Sequence, residues 1–160
     1  MKFKEIFERF LEHQAHLKVI FVASADKNGQ PNCAPKMLIE VVRPNKIFYL
    51  DYKSLRTHEN ILQNPRASLS IMHDRTFVGF RLNGFCQIVK SGAELKWAKE
   101  KWSRRVVAYE ASRMVDRMKG IPSSREAEFA LPKDFVVVKF VAEEGSMVKP
   151  DRVLRAIRRG

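Results

Sequence analysis

The sequence predicts a mainly β domain, with flanking helices, in which six antiparallel strands close a small barrel. One helix precedes the first strand and a long one precedes the last. Two observations carry this prediction. Segments rich in β-branched and aromatic residues recur six times, mostly separated by short Gly-, Pro- or Asn-containing turns. Helical spacing of apolar residues interrupts them at only three places. Strands joined by short turns pair antiparallel, and six of them suffice to close a barrel with the helices outside it.

In chain order, residues 3–17 space Phe3, Ile6, Phe7, Phe10 and Leu11 along one helical face. LKVIFVASA (17–25) has the composition of a buried strand. The Asn28-Gly29 pair that follows is a hairpin signal, because such turns need positive φ. NCAPKMLIEVV (32–42) is the second strand, and its Pro35 favours an edge position or a bulge. RPNK turns into IFYLDY (47–52). SLRTHENILQ (54–63) predicts about two helical turns with Ser54 or Thr57 as N-cap, stopped by Asn64-Pro65. RASLSIMH (66–73) and FVGFRLNGFCQIVK (77–90) are strands, with Gly79 and Gly84 as bend or bulge points. Leu95, Ala98, Trp102, Val106 and Tyr109 mark a helix over 92–119, ended by Gly120-Ile121-Pro122. A loop at 123–134, with room for one helical turn, leads to the last strand, 135–148. The basic tail 149–160 carries Val153, Leu154 and Ile157 among its arginines.

The 160 residues fit one domain spanning 1–160, with no repeat or linker. An apolar fraction of 45% with 30% charged residues is that of a soluble globular protein, and no apolar run approaches the roughly 20 residues of a membrane span. Acids within the apolar stripe of the first helix argue against a secretory signal. Cys33 and Cys86 are too few and too distant for a disulfide framework, which predicts reduced residues in a cytoplasmic protein. The net charge of +12, from 30 basic against 18 acidic residues, attracts nucleic acid, anionic membrane or a phosphorylated small molecule without choosing among them.

The segment Ser54–Asn60 is the strongest candidate site. A helix N-terminus presents free N–H groups to an anion; Ser54 and Thr57 add hydroxyls and Arg56 a charge-assisted contact. The same residues would also suit a capped surface helix with a solvated Arg56. Lys36, on the second strand, is a candidate for a second positive charge at that anion. His13 and His16, three apart, lack a visible third metal ligand. Trp97, Trp102 and Tyr109 serve either a planar cofactor or the packing of their helix, and the lysines and arginines beside them a solvated face or a nucleic-acid surface.

FVASADKNGQPNCAPKMLIEV, KIFYLDYKSLRTHENILQNPRASLSI and FRLNGFCQIV together resemble the pyridoxamine 5′-phosphate oxidase-like FMN-binding split-barrel family over residues 15–90. The middle block is the most specific, with its aromatic strand, Ser/Arg/Thr turn, short helix and Asn-Pro-Arg. The resemblance implies a six-stranded split barrel that pairs into a homodimer holding FMN at the interface. It implies phosphate binding by Ser54, Arg56 and Thr57, with Asn60 behind the turn. Pro35, Lys36 and Met37 would line the flavin, and Leu50, Asp51 and Tyr52 would lie near the ring or ribityl chain. Two departures stand out: Leu55 where the vitamin-making oxidases carry a basic residue, and RVLRAIRRG where they end in a tryptophan and Arg-Leu-x-Pro signature.

The leading expectation is an FMN-dependent oxidoreductase acting on a small molecule. Its rivals are a flavin-, deazaflavin- or haem-binding protein without catalysis, and a basic module whose tail, in the commoner case a helix docked on the barrel, instead contacts nucleic acid or anionic membrane.

Overall fold

The apolar face expected at the N-terminus is that of α1 (Phe3–Gln14), which buries Phe3, Ile6, Phe7 and Phe10. The computed structural model describes residues 1–14, 19–73, 75–121 and 134–158. His16, Leu17 and Lys18, Asp74, Pro122, almost all of the expected loop at 123–134, and Arg159 lie outside the described residues. The remaining elements are β1 (Val19–Ala25), β2 (Pro31–Val42), β3 (Lys46–Tyr52), α2 (Arg56–Gln63), β4 (Arg66–His73), β5 (Val78–Val89), α3 (Gly92–Met118), β6 (Phe135–Val148) and β7 (Val153–Ile157).

The strands run in the order β3-β2-β1-β4-β5-β6, every pairing antiparallel, and β3 pairs back onto β6 to close a six-stranded barrel. The Asn28-Gly29 hairpin forms as expected, with Gly29 at φ 82° and the Asp26 carboxylate accepting from the N–H groups of Asn28 and Gln30. Pro35 sits on the half of β2 that pairs with β1 alone, so its missing N–H costs no ladder bond to β3; the bulge in β2 falls at Leu38/Glu40 instead. Of the two glycines expected to bend β5, only Gly84 coincides with a register shift, where the backbone of β6 at Val141 comes too close for a Cβ.

Alternation divides the barrel into an inner and an outer layer. Inward side chains such as Ile20, Leu38, Leu69, Leu82 and Phe140 form one core with the α1 phenylalanines, which close one mouth. Gly145 admits α1 there, since an added Cβ would lie 2.9 Å from Ile6 Cγ2. At the opposite mouth, α2 lies over the ends of β1, β2 and β3. Outside the barrel, α3 lays Leu95, Ala98, Trp102 and Val106 over Ile39, Phe48, Leu50 and Val137. The helix stripe expected from the sequence is therefore used for packing; Trp97 likewise meets the Phe48 ring edge-on at 5.0 Å.

The tail departs from the expected apolar strip or terminal helix. It forms a seventh strand, β7, on the far half of β6, so β6 is not the last strand. The period of two turns Val153, Arg155 and Ile157 outward and leaves Leu154 and Ala156 half-buried against the core, splitting the strip. Arg155 grips Glu144, with its Nε at 2.5 Å and Nη2 at 2.9 Å.

Within the core the Tyr49 hydroxyl lies 3.4 Å from Cys86 Sγ. Burial drives the Tyr49 hydroxyl well above its ordinary range, and burial pushes the Cys86 thiol up to about 11. The fold thus favours the neutral thiol, whereas in the unfolded chain the thiol ionises nearer its ordinary value of 9.0. That stabilisation is complete below pH ~9 and is lost as pH rises toward about 11, on the order of 2–3 kcal/mol from the thiol. Urea midpoints measured from pH 8 to 11 should fall accordingly, and fall less in Cys86→Ala; parallel curves would dismiss the thiol as the cause. Exposed Cys33 should meanwhile be alkylated in the native protein while buried Cys86 is protected.

Candidate functional site

The ten residues singled out from the sequence gather around the α2 mouth of the barrel, but strand alternation separates them. Lys36 and Asp51 point inward, whereas Pro35, Met37, Leu50 and Tyr52 point outward. Thr57 and Asn60, three residues apart on α2, share the face that the helix turns toward the barrel.

The inward group is a polar plug. Lys36 Nζ stands 2.5 Å from Asp51 Oδ1, and both side chains are almost fully buried, at 3% and 0% exposure. The same carboxylate oxygen accepts the Tyr52 N–H at 2.9 Å, while Oδ2 has no hydrogen-bond partner among the described residues. Asn32 Nδ2 donates to Thr57 Oγ1 at 3.1 Å, and Asn60 Nδ2 donates to Ser24 Oγ at 3.2 Å. These contacts tie α2 to β1 and β2. The expectation that Lys36 offers its charge to an external anion is corrected here, because that charge is engaged by Asp51 inside the barrel. Thr57 is corrected similarly: its hydroxyl faces Asn32, not the helix end.

The outward group borders the connector between β3 and α2. The N-cap is Leu55, with no side-chain cap, rather than Ser54 or Thr57. Ser54 Oγ instead donates to Asp134 Oδ2 at 3.2 Å, and Lys53 N–H to the Asp134 carbonyl at 3.0 Å. The N–H groups of Arg56 and Thr57 find no acceptor among the described residues, and no carboxylate there pairs with the exposed Arg56 guanidinium. This helix start thus combines open amides with a free cation, the arrangement an anion needs. Pro35 is exposed, Met37 half-buried and Tyr52 37% exposed, whereas Leu50 is buried beneath α3.

Sequence reasoning missed Ser24, Asn32 and Asp134 as partners of the predicted residues. The alternation of β2 and β3 was a usable signal for the inward set; nothing local pointed to Asp134, 80 residues from Ser54.

Among the described residues no helix is long and apolar enough to cross a membrane. The family model described as pyridoxamine 5′-phosphate oxidase matches residues 3–149. An uncharacterized protein of Methanocaldococcus jannaschii is 29% identical over 102 residues, 62% of this chain; the match spans 65% of that relative's length. The fold is shared with a protein from Clostridium acetobutylicum related to general stress protein 26 of the pyridoxinephosphate oxidase family. There the TM-score is 0.68 at 19% identity, over 97% of this chain and 95% of that one. It is shared also with a pyridoxamine 5′-phosphate oxidase-related, FMN-binding protein from Nostoc punctiforme, at TM-score 0.59 and 14% identity over 97% and 89%. A haem-binding protein from Mycobacterium smegmatis superposes with TM-score 0.63 at 17% identity, over 89% of this chain and 54% of that one. The neighbours of this barrel therefore include both FMN and haem binders. With a match running from α1 to the end of β6, this chain belongs to the pyridoxamine 5′-phosphate oxidase family.

Proposed function

We propose that the protein is an FMN-binding flavoprotein, working as a homodimer, that transfers hydride or electrons between the flavin and a small molecule. One observation carries this reading: Arg56, free of any described carboxylate, stands at the uncapped start of α2 beside two open amides. FMN carries a phosphate that suits this cradle, and haem does not, which favours FMN over the haem reading within the family. Pro35, Met37 and Tyr52 offer an outward wall on the adjoining ends of β2 and β3. Leu50 backs that wall from beneath α3, and Ser54 joins the phosphate only by releasing Asp134. Lys36, Asp51, Thr57 and Asn60 support the site from behind by holding β2, β3 and α2 together. When bound, the isoalloxazine supplies the redox chemistry, and this chain's residues bind and orient it.

The test is the visible spectrum of the purified protein, followed by titration with FMN and riboflavin. Flavin bands or tight FMN uptake, with riboflavin at least roughly ten-fold weaker, is the expected result, since a charge-assisted contact is worth more than 1.4 kcal/mol. Equal affinities would remove the phosphate cradle from the site, and a colourless protein indifferent to FMN would reopen the deazaflavin and haem readings.

The dimer reading is supported by an exposed apolar stripe on the outer face of β1 and β4, where Val19, Phe21 and Met72 stand at 41%, 49% and 58% exposure. In register, Phe21 lies between Pro35 and Ser70, so the stripe reaches the proposed flavin wall. Sedimentation should give the mass of two chains, and Phe21→Glu should give monomers with weakened FMN binding. A monomeric native protein would refute it.

A further inference from the structure

A second cleft, of about 490 Å³, opens between α2, the start of α3 and the adjoining ends of β5 and β6. Lys53, Lys90 and Lys99 surround it, Leu62 and Phe135 are among its apolar lining, and His58 forms part of the wall. No acidic residue is among the described lining. From this we propose a second ligand site, for an organic anion with a flat or compact apolar body, separate from the Arg56 turn and going beyond the flavin reading.

The cleft gathers three cations around one apolar wall. Several cations elsewhere on the barrel are paired: Arg43 with Glu8, Arg66 with Glu143, Lys101 with Glu40, Lys139 with Glu94 and Arg155 with Glu144. Lys53, Lys90 and Lys99 have no carboxylate partner among the described residues; the Lys99 ammonium instead sits 5.8 Å from the centre of the Phe135 ring. The three ammoniums come from three places in the chain, the β3–α2 turn, the β5–α3 junction and α3 itself, so the scaffold assembles them. All three are exposed, so water and counterions screen their repulsion, and an anion bound among them would meet all three charges. His58 is 9% exposed, and its buried Nδ1 has no hydrogen-bond partner among the described residues.

The lining defines the ligand class. An inorganic anion would leave the apolar wall uncovered, and a neutral apolar molecule would leave three charges unmatched; an anionic head on an apolar body answers both. The volume falls within the range usual for small-molecule sites. The cleft is also distinct from the phosphate turn by helix geometry. His58 and Leu62 are four residues apart on one face of α2, roughly 200–240° around the axis from Arg56.

The probe is 1-naphthyl phosphate, titrated into the full chain by calorimetry and by amide NMR, with 1-naphthol and inorganic phosphate as half-ligand controls. Binding should weaken at least ten-fold in Lys90→Glu/Lys99→Glu and persist when the protein is saturated with FMN. Each half-ligand should bind at least ten-fold more weakly than the probe. Amide shifts should centre on Lys53, Leu62, Lys90 and Lys99. Unchanged affinity in the double variant, or complete displacement of the probe by FMN, would overturn the proposal. So would shifts confined to Ser54–Thr57, a readout that needs no variant to fold.

Discussion

Lys36→Ala should destabilise the protein by about 3–5 kcal/mol, read as a lowered urea midpoint. The mutation removes the one charge that pairs with Asp51 among the described residues; the Asp51 side chain is wholly buried and its Oδ2 has no hydrogen-bond partner there. Bringing an ionised carboxylate into a barrel mouth without its cation forfeits hydration with nothing in exchange. The rest of the plug cannot rescue it, since Asn32 and Asn60 are engaged with Thr57 and Ser24. Replacing both members, as in Lys36→Met/Asp51→Leu, should cost far less than the two single changes combined, because the desolvation of both charges disappears together. Additive losses in that cycle, or a fully stable Lys36→Ala, would mean that the pair is hydrated and the mouth open. The same cycle bears on function: if Lys36 acts only within the barrel, a folded double variant should retain its affinity for FMN.

Arg56→Ala should leave stability nearly unchanged and weaken FMN binding by about 1.5–3 kcal/mol, roughly 10- to 150-fold. The guanidinium is exposed and free of described carboxylates, so its loss breaks nothing inside the protein. Its contribution arises only when a phosphate sits at the open amides of α2, where charge and helix dipole act together. Solvent screening places the effect toward the lower end, and it should shrink further as salt is raised. Riboflavin, which has no phosphate, should bind the variant and the native protein alike. If FMN and riboflavin lose affinity equally, the mutation has disturbed the ring wall; if neither loses any, Arg56 lies outside the site.

Much of the barrel was legible because period-two runs and turn chemistry are local signals. Asn28-Gly29 needs only its own backbone to make a hairpin, and the α3 stripe from Leu95 to Tyr109 records which helix face is buried. β7 was misread because five residues, VLRAI, carry too short a pattern to separate strand from helix; the free edge of β6 decides it. The SLRTHEN stretch marked the position of the short helix and its start, but not which side chains face it. Ser54 turns to Asp134 and Lys36 to Asp51 through contacts 80 and 15 residues apart.

By itself, then, the sequence determined the class of the fold, the order of all elements but the last, and the place where Arg56 meets a helix N-terminus. Only the tertiary structure decided which candidate residues face outward, which cations are already neutralised, and that three lysines surround one cleft. The reason is physical: propensity and periodicity act over a few neighbouring residues, whereas burial and charge pairing depend on which distant segments the closing barrel brings together.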